Sequence, residues 1–326
     1  MAQGSDVAVK TESGESRFDR TRIINMLLRN LMVLVVFAVA VYFSLARPQF
    51  ATLANMRTIL IAAAPFALIA LGQTLVILTG GIDLSVGSVV ALSAMTGAAL
   101  SVGHPERMWL AAGIAVLAGL LAGLVSGIAV AYINVPPFVA TLGMLSVASG
   151  LAYAIGKGAP INGLPREWAT IASTRIFTLQ APVLVMIAGF LILGIVMKRT
   201  AFGMRIYAVG GNRVAAEVAG VNARRILTSV YAISGALAGM SGVILSSRVI
   251  SAAPYLGKGY ELNAIAAVVI GGASLKGGRG TVWGTLLGLL LIQTLNNGLD
   301  ILIVPSYWQT VISGTLIVSA VAVDMV

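Results

Sequence analysis

The 326-residue chain has no cysteine and a single histidine, His104. The first absence excludes disulfides, thiol catalysis and cysteine-ligated metals. The second leaves only one imidazole, in a short loop before Pro105, which reads as a solvated side chain and not as a ligand. No catalytic residue, metal site or resident cofactor is therefore expected on this chain. Charge is equally scarce: 10% of the residues are Asp, Glu, Lys or Arg, against roughly a quarter in soluble domains. The phosphate-cradling pattern GxxxxGK[ST] is also missing, which removes a nucleotide site of that kind.

What is present is apolar. Hydrophobic residues make up 58% of the chain and the mean hydropathy is +0.97, more apolar surface than a soluble protein of this length can bury. Lipid offers no hydrogen bonds, so long apolar stretches there become helices that satisfy their own backbone groups. Strand alternation of the barrel type is absent. The expected fold class is all-α, a polytopic transmembrane bundle of about ten spans near 27–46, 59–79, 84–103, 109–133, 138–156, 180–197, 225–247, 261–273, 281–299 and 302–323. The eighth is too short to cross alone and reads as a broken helix or as part of a longer segment running through Gly271 and Gly272. Residues 1–26 read as a polar, charge-mixed leader, expected to be cytoplasmic and disordered. Residues 27–326 read as one membrane domain. The leader is too long, and the run from Leu31 to Ala46 too span-like, for a cleaved signal peptide.

The net charge of +10 reads as topology. Cytoplasmic loops collect Lys and Arg, and placing the N-terminus inside puts the two dense basic clusters, in the leader and in residues 198–225, on that side. Both termini are then cytoplasmic and residues 156–180 face outward. Gly119, Gly123 and Gly127 repeat the small-xxx-small spacing that lets helix backbones approach closely, read here as packing within one subunit in preference to a dimer seam.

Three features stand out as sites. The polar insertion from Lys198 to Arg225 contains a short helix that Asn212 can cap and Gly220 can close, with Asn222 capping the next span. It reads as a docking element for a soluble partner or as a basic loop on lipid headgroups. The stretch TGGIDLSVGS, Thr79–Ser88, holds Asp83, a buried carboxylate that reads as a helix N-cap or as a functional charge. A second string, IGGASLKGGRGT from Ile270 to Thr281, shares GGxxLxxG with the first, and glycine-broken segments in corresponding halves can mark a transport path. Finally Gln293, Asn296, Asn297 and Asp300 fall at i, i+3, i+4 and i+7. They suit a hydroxyl-rich solute on a translocation path or hydrogen bonding between helices; Tyr307 and Trp308 follow as sugar-stacking or interfacial aromatics. Gln73, Ser85 and Asn263 complete the polar candidates for the path.

The strings LGQTLVILTGGIDLSVGSVVAL, PPFVATLGM, FGMRIYAVGGNRVAAEVAGV, GYELNAIAAVVIGGASLKGGRGT and NNGLD resemble the ribose-type permeases of bacterial ABC sugar importers, in order from about Asn55 to Asp324. The resemblance implies a bacterial inner-membrane transport subunit, not an enzyme. Its partners would be a second permease copy or paralogue, a cytoplasmic ATPase, usually of two fused cassettes, that binds ATP and Mg, and a periplasmic sugar-binding protein. It also implies the ten-helix arrangement of vitamin B12-type importers. By the same resemblance Gly203, Arg205, Tyr207, Gly210, Gly211, Asn212, Ala215, Ala216 and Gly220 belong to the segment that couples to the ATPase. Two competing readings are an ion-gradient-driven sugar transporter, using Asp83 and also Asp300 or Glu261, and an intramembrane enzyme. Glu261 reads more simply as a helix-start carboxylate.

Overall fold

The computed structural model describes residues 31–325. The leader at 1–26 and the first four residues of the expected first span lie outside the described residues. Each of the ten expected apolar runs is helical over most of its described residues: α1 (Leu31–Ala46), α2 (Leu53–Leu78), α3 (Val86–Ser101), α4 (Met108–Ala131), α5 (Pro137–Ile155), α7 (Ala181–Arg199), α10 (Ala223–Val249), α11 (Tyr260–Ile270), α12 (Val282–Ile301) and α13 (Ser306–Met325). Three short helices complete the set: α6 (Arg166–Ser173), α8 (Ala201–Gly211) and α9 (Arg213–Val218). Among the described residues strand is confined to two-residue pieces, β1 (Ile161–Asn162), β2 (Arg175–Ile176), β3 (Leu179–Gln180) and β4 (Ser251–Ala252), in which β1 pairs with β4 and β2 with β3.

Among the described residues the fold is thus nearly all helical, and five helices (α2, α4, α5, α7 and α10) are long and apolar enough to cross a membrane by length and composition. Shorter apolar helices stand beside them. Helix α2 begins six residues earlier than its hydropathy predicts, because Thr52 caps it by accepting the N–H of Asn55 at 3.2 Å. Capping lets the polar residues Asn55 and Arg57 join a helix that apolarity alone would start later.

Burial sorts the bundle into an inner and an outer set. The most apolar window of α2 is 78% buried and that of α10 61%, whereas α5 reaches only 17% and α7 28%. An all-round apolar helix belongs in the interior; α5 and α7 turn apolar side chains outward, as a lipid-facing helix does. The inner helices touch through small residues. Gly119, Gly123 and Gly127 of α4 lie on Gly239, Gly235, Thr228 and Tyr231 of α10, so the small-residue series packs inside one chain as read.

Among the apolar helices with both ends described, two are too short to meet the length needed to cross alone. Helix α3 has 16 residues and α11 has 11, or ~24 and ~16 Å at the α-helical rise. The eighth apolar run is therefore a broken helix that stops at Gly271, with Gly272 at φ +86°. The N-terminal ends of α3 and α11 meet inside the bundle: a Cβ on Gly87 would strike the Glu261 carboxylate and lie 2.6 Å from the Gly257 carbonyl oxygen. Glu261 is a helix-start carboxylate, accepting the Gly259 N–H at 3.1 Å.

The connections gather at two ends. One holds Gly80–Gly81, Asn134–Pro137, α8, α9 and the 271–281 loop. The other holds the β1–β4 pair, the β2–β3 hairpin and α6, whose Trp168 is fully buried and donates to Ser246 Oγ at 3.2 Å, near the far end of α10. His104 is exposed beside Glu106.

Candidate functional site

The 198–225 insertion folds as two helices. Thr200 caps α8 by accepting the Gly203 N–H at 3.3 Å, and Asn212 caps α9 by accepting the Ala215 N–H at 3.0 Å. After α9 the chain turns through Gly220 at φ +85°, and Asn222 caps α10 on the Arg225 N–H at 3.0 Å. All three cap positions expected in this insertion are occupied as read. Asn222 follows α9 after only residues 219–221, so a short connection joins α9 to the long inner helix α10.

The nine residues assigned to the coupling segment divide into two groups. Arg205, Gly211, Asn212, Ala215 and Gly220 are exposed; Gly203 and Ala216 are buried, and Tyr207 and Gly210 are half-buried. The second group fixes the insertion to the bundle. Tyr207 donates its hydroxyl to the Gly280 carbonyl at 3.0 Å, and burial raises its phenol above the usual range, which keeps it a neutral donor. Gly210 lies directly on the Leu78 carbonyl and on Gly278.

Here the two glycine strings meet. The Gly278 N–H donates to Leu78 O at 3.0 Å, and the Cβ position of Gly277 would lie 2.8 Å from both Gly210 O and Gly80 N. Gly277 and Gly278 have φ of +84° and +71°, backbone that only glycine adopts without strain. Three backbones, from the α2 end, the α8 end and the 271–281 loop, thus touch with no side chain between them.

A buried polar cluster lies deeper along α2, α3 and α10. Asp83 Oδ1 accepts from Ser85 N at 2.9 Å and from Ser85 Oγ at 2.6 Å, while Oδ2 accepts from Ser234 Oγ at 3.1 Å. With the Gln73 amide oriented to satisfy both of its atoms, its nitrogen donates to Asp83 O at 3.1 Å and its oxygen accepts from Asp83 N at 3.2 Å. The expectation of an Asp83 N-cap is corrected here. Helix α3 begins at Val86 after Ser85, and Asp83 sits three residues ahead of it, holding Ser85 and reaching across to α10. The extended break leaves the carboxylate too early in the chain to cap α3, but aims it at a neighbouring helix.

The stripe on α12 separates into three environments. The Asn297 and Asn55 amides exchange two hydrogen bonds, at 2.8 and 2.9 Å, joining α12 to the start of α2. Asp300 is exposed and accepts from Gln309 at 2.8 Å. Asn296 lines a small pocket with Asn263 of α11 and Ser313 of α13, and Gln293 is half-buried. Tyr307 and Trp308 are exposed. Of the path candidates, Gln73, Asp83 and Ser85 are brought together, as are Asn263 and Asn296; the stripe does not act as one surface.

Residues 55–321 match the family described as "Branched-chain amino acid transport system / permease component". The chain belongs to this permease family. Among curated relatives, the "Ribose import permease protein RbsC" of Bacillus subtilis (strain 168) is 39% identical over 322 residues, covering 97% of this chain and 98% of the relative. The protein of the same name from Escherichia coli (strain K12) is 38% identical over 322 residues, covering 98% and 99%. The "D-allose transport system permease protein AlsC" of Escherichia coli (strain K12) is 35% identical over 286 residues, 88% of each chain. No solved structure matches.

Sequence reasoning missed two groups in this permease. Ser234 and Tyr231 read as ordinary positions of an apolar span, and Asn55 as part of a loop. Their only signal is polarity within a hydrophobic context, which marks dozens of positions in a helical membrane protein and selects none.

Proposed function

We propose that this permease is the membrane subunit of an ATP-driven importer for a monosaccharide or similar polyhydroxy solute, in a bacterial inner membrane. Its ten helices cross in the vitamin B12-type arrangement, with both termini cytoplasmic and residues 27–326 forming one domain behind the leader at 1–26. Two copies, or this chain and a paralogue, enclose the path between them. A cytoplasmic ATPase, of tandem-cassette type, binds ATP and Mg, and a periplasmic sugar-binding protein delivers the solute.

The observation that carries this reading is the junction at which α8 rests on both glycine strings. The exposed residues Arg205, Gly211, Asn212, Ala215 and Gly220 meet the ATPase. The inward residues Gly203, Tyr207, Gly210 and Ala216 pass its motion to the ends of α2 and α11. Packed helices transmit a displacement because close-packed contacts shift as units and do not compress. Asn263, Gln293 and Asn296 supply donors and acceptors toward the solute, and Asn297 and Asp300 hold that wall in place. Gln73, Asp83 and Ser85 brace the broken segment that borders the path. The relatives are named for ribose and D-allose, which supports a small sugar as the solute.

In proteoliposomes holding this chain with its ATPase and binding protein, one labelled monosaccharide from a panel accumulates only with ATP, and alteration of Gly211 and Asn212 removes that uptake. Transport without ATPase or binding protein, dependent on an ion gradient, would replace the importer reading by a secondary transporter. Cysteines introduced at positions 162 and 212 label from opposite sides of the membrane; labelling of both from one side would sink the topology.

A further inference from the structure

Asp83 is the one fully buried acidic side chain among the residues whose burial is described. Among the described residues no lysine, arginine or histidine pairs with it; the ion pairs that form involve Glu106 and Glu217. Its charge is offset only by donors, Ser85 N–H, Ser85 Oγ and Ser234 Oγ. A buried charge left without a counter-ion is costly and readily neutralised.

A second observation points to the same spot. Tyr231 is fully buried, and its hydroxyl has no hydrogen-bond partner. Buried tyrosine hydroxyls ordinarily find one. This hydroxyl lies against Gly81, two residues before Asp83, and Tyr231 stands three residues before Ser234, which holds the carboxylate. Gly81 and Tyr231 themselves line a cavity of about 240 Å³, with Thr79, Gly80, Asn134, Val209 and Arg213 at the α8–α9 end. Such a volume holds several waters, each needing about 30 Å³.

We propose that Asp83 is a proton-binding site that exchanges with the α8–α9 side of the membrane through Tyr231 and this cavity. A hydronium ion in the cavity gives a proton to Tyr231 Oη, and Tyr231 passes its own to the carboxylate across a bridging water, since no direct hydrogen bond joins the two. Water is released, the carboxylate becomes a carboxylic acid, and the tyrosine ends neutral. The groups facing the site are neutral Gln73 from α2, Ser85 at the start of α3, Thr141 of α5 on the Ile82 carbonyl, and Ser234 with Tyr231 from α10. Arg213, paired with Glu217, stands at the cavity mouth, and Glu261 of α11 lies beyond Gly87.

Protonation changes what the cluster does. The ionised carboxylate accepts three hydrogen bonds and ties the start of α3 to the middle of α10. The acid must instead donate one, and hydrogen bonds to a neutral partner are roughly half as strong as charge-assisted ones. The tie loosens, on the helix that follows α9 directly. This goes beyond the importer reading and does not depend on it.

The test uses purified full-length permease in lipid nanodiscs, without ATPase or sugar. Infrared difference spectra between about pH 4 and pH 9 show a carboxylic-acid C=O stretch that grows as pH falls and is lost in Asp83→Asn. Asp83→Glu, which keeps the acid, moves the band and guards against misfolding of the asparagine variant. Tyr231→Phe keeps the band but slows its appearance after a pH jump by about tenfold or more. Spectra with no titrating band assignable to Asp83 would overturn the site, and an unchanged rate in Tyr231→Phe would overturn the relay.

Discussion

Leucine in place of Gly123 leaves almost no folded permease in the membrane. Gly123 sits in the middle of the α4–α10 seam, where its Cβ position is 3.0 Å from Gly235 Cα and strikes the Tyr231 carbonyl. A side chain there must push two backbones apart. The partner helix cannot retreat, because Gly72 of α2 presses on its other side, with a Cβ position 2.9 Å from Ser234 Cα. Overpacking against side chains that can rotate costs about 1–3 kcal/mol, and against backbone on both sides the cost is at the upper end or above. That is a large share of a net stability of about 5–15 kcal/mol. The check is the yield of monodisperse protein from membrane extracts, with Gly113→Leu as control, since Gly113 has open space around it. Wild-type yield from Gly123→Leu would show that the seam does not hold the bundle together.

Valine at Gly210 acts on motion and not on folding. Its Cβ strikes the Leu78 carbonyl and lies 2.7 Å from Gly278 N, so α8 has to lift away from the junction of the two glycine strings. Helix α8 lies at one end of the bundle, outside its inner helices, and lifting it leaves intact the α4–α10 seam and the exposed residues proposed to meet the ATPase. On the proposed importer mechanism, the expected result is normal assembly with the ATPase, continued ATP hydrolysis, and ATP-driven sugar uptake reduced by about tenfold or more, a change of roughly 1.4 kcal/mol or above in the coupled step. Gly211, one residue on, meets nothing within 4 Å inside the chain. Loss of uptake in Gly211→Ala therefore reports on the partner, whereas loss in Gly210→Val reports on the junction. Uptake undiminished by Gly210→Val would show that the force takes another route into the bundle.

The composition by itself determined the class of this protein. With 10% charged residues and long apolar runs, lipid dictates helices, and the expected runs are helical over most of their described residues, five of them long and apolar enough to cross a membrane. Local chemistry was equally legible where one residue acts on its near neighbours. Asn212, Asn222 and Gly220 do what their side chains or their freedom at positive φ allow within three or four positions of the chain. The five quoted strings likewise pointed to the family, since they are a record of residue order and need no geometry.

Only the tertiary structure decided what faces what. Gln293, Asn296, Asn297 and Asp300 share a helical face by periodicity, yet each neighbour draws out a different one: Asn55 takes Asn297, Gln309 takes Asp300, and Asn263 shares a pocket with Asn296. Asp83 was visible as a buried charge, but its tie to Ser234 spans 151 positions of sequence. The glycine strings looked alike without any sign that they touch, or that Gly210 would lie on both. Periodicity and capping are properties of a segment, fixed by a few successive residues. The partners of a buried polar group are fixed by which helices pack together and at what depth, and that follows from the shape of all of them at once.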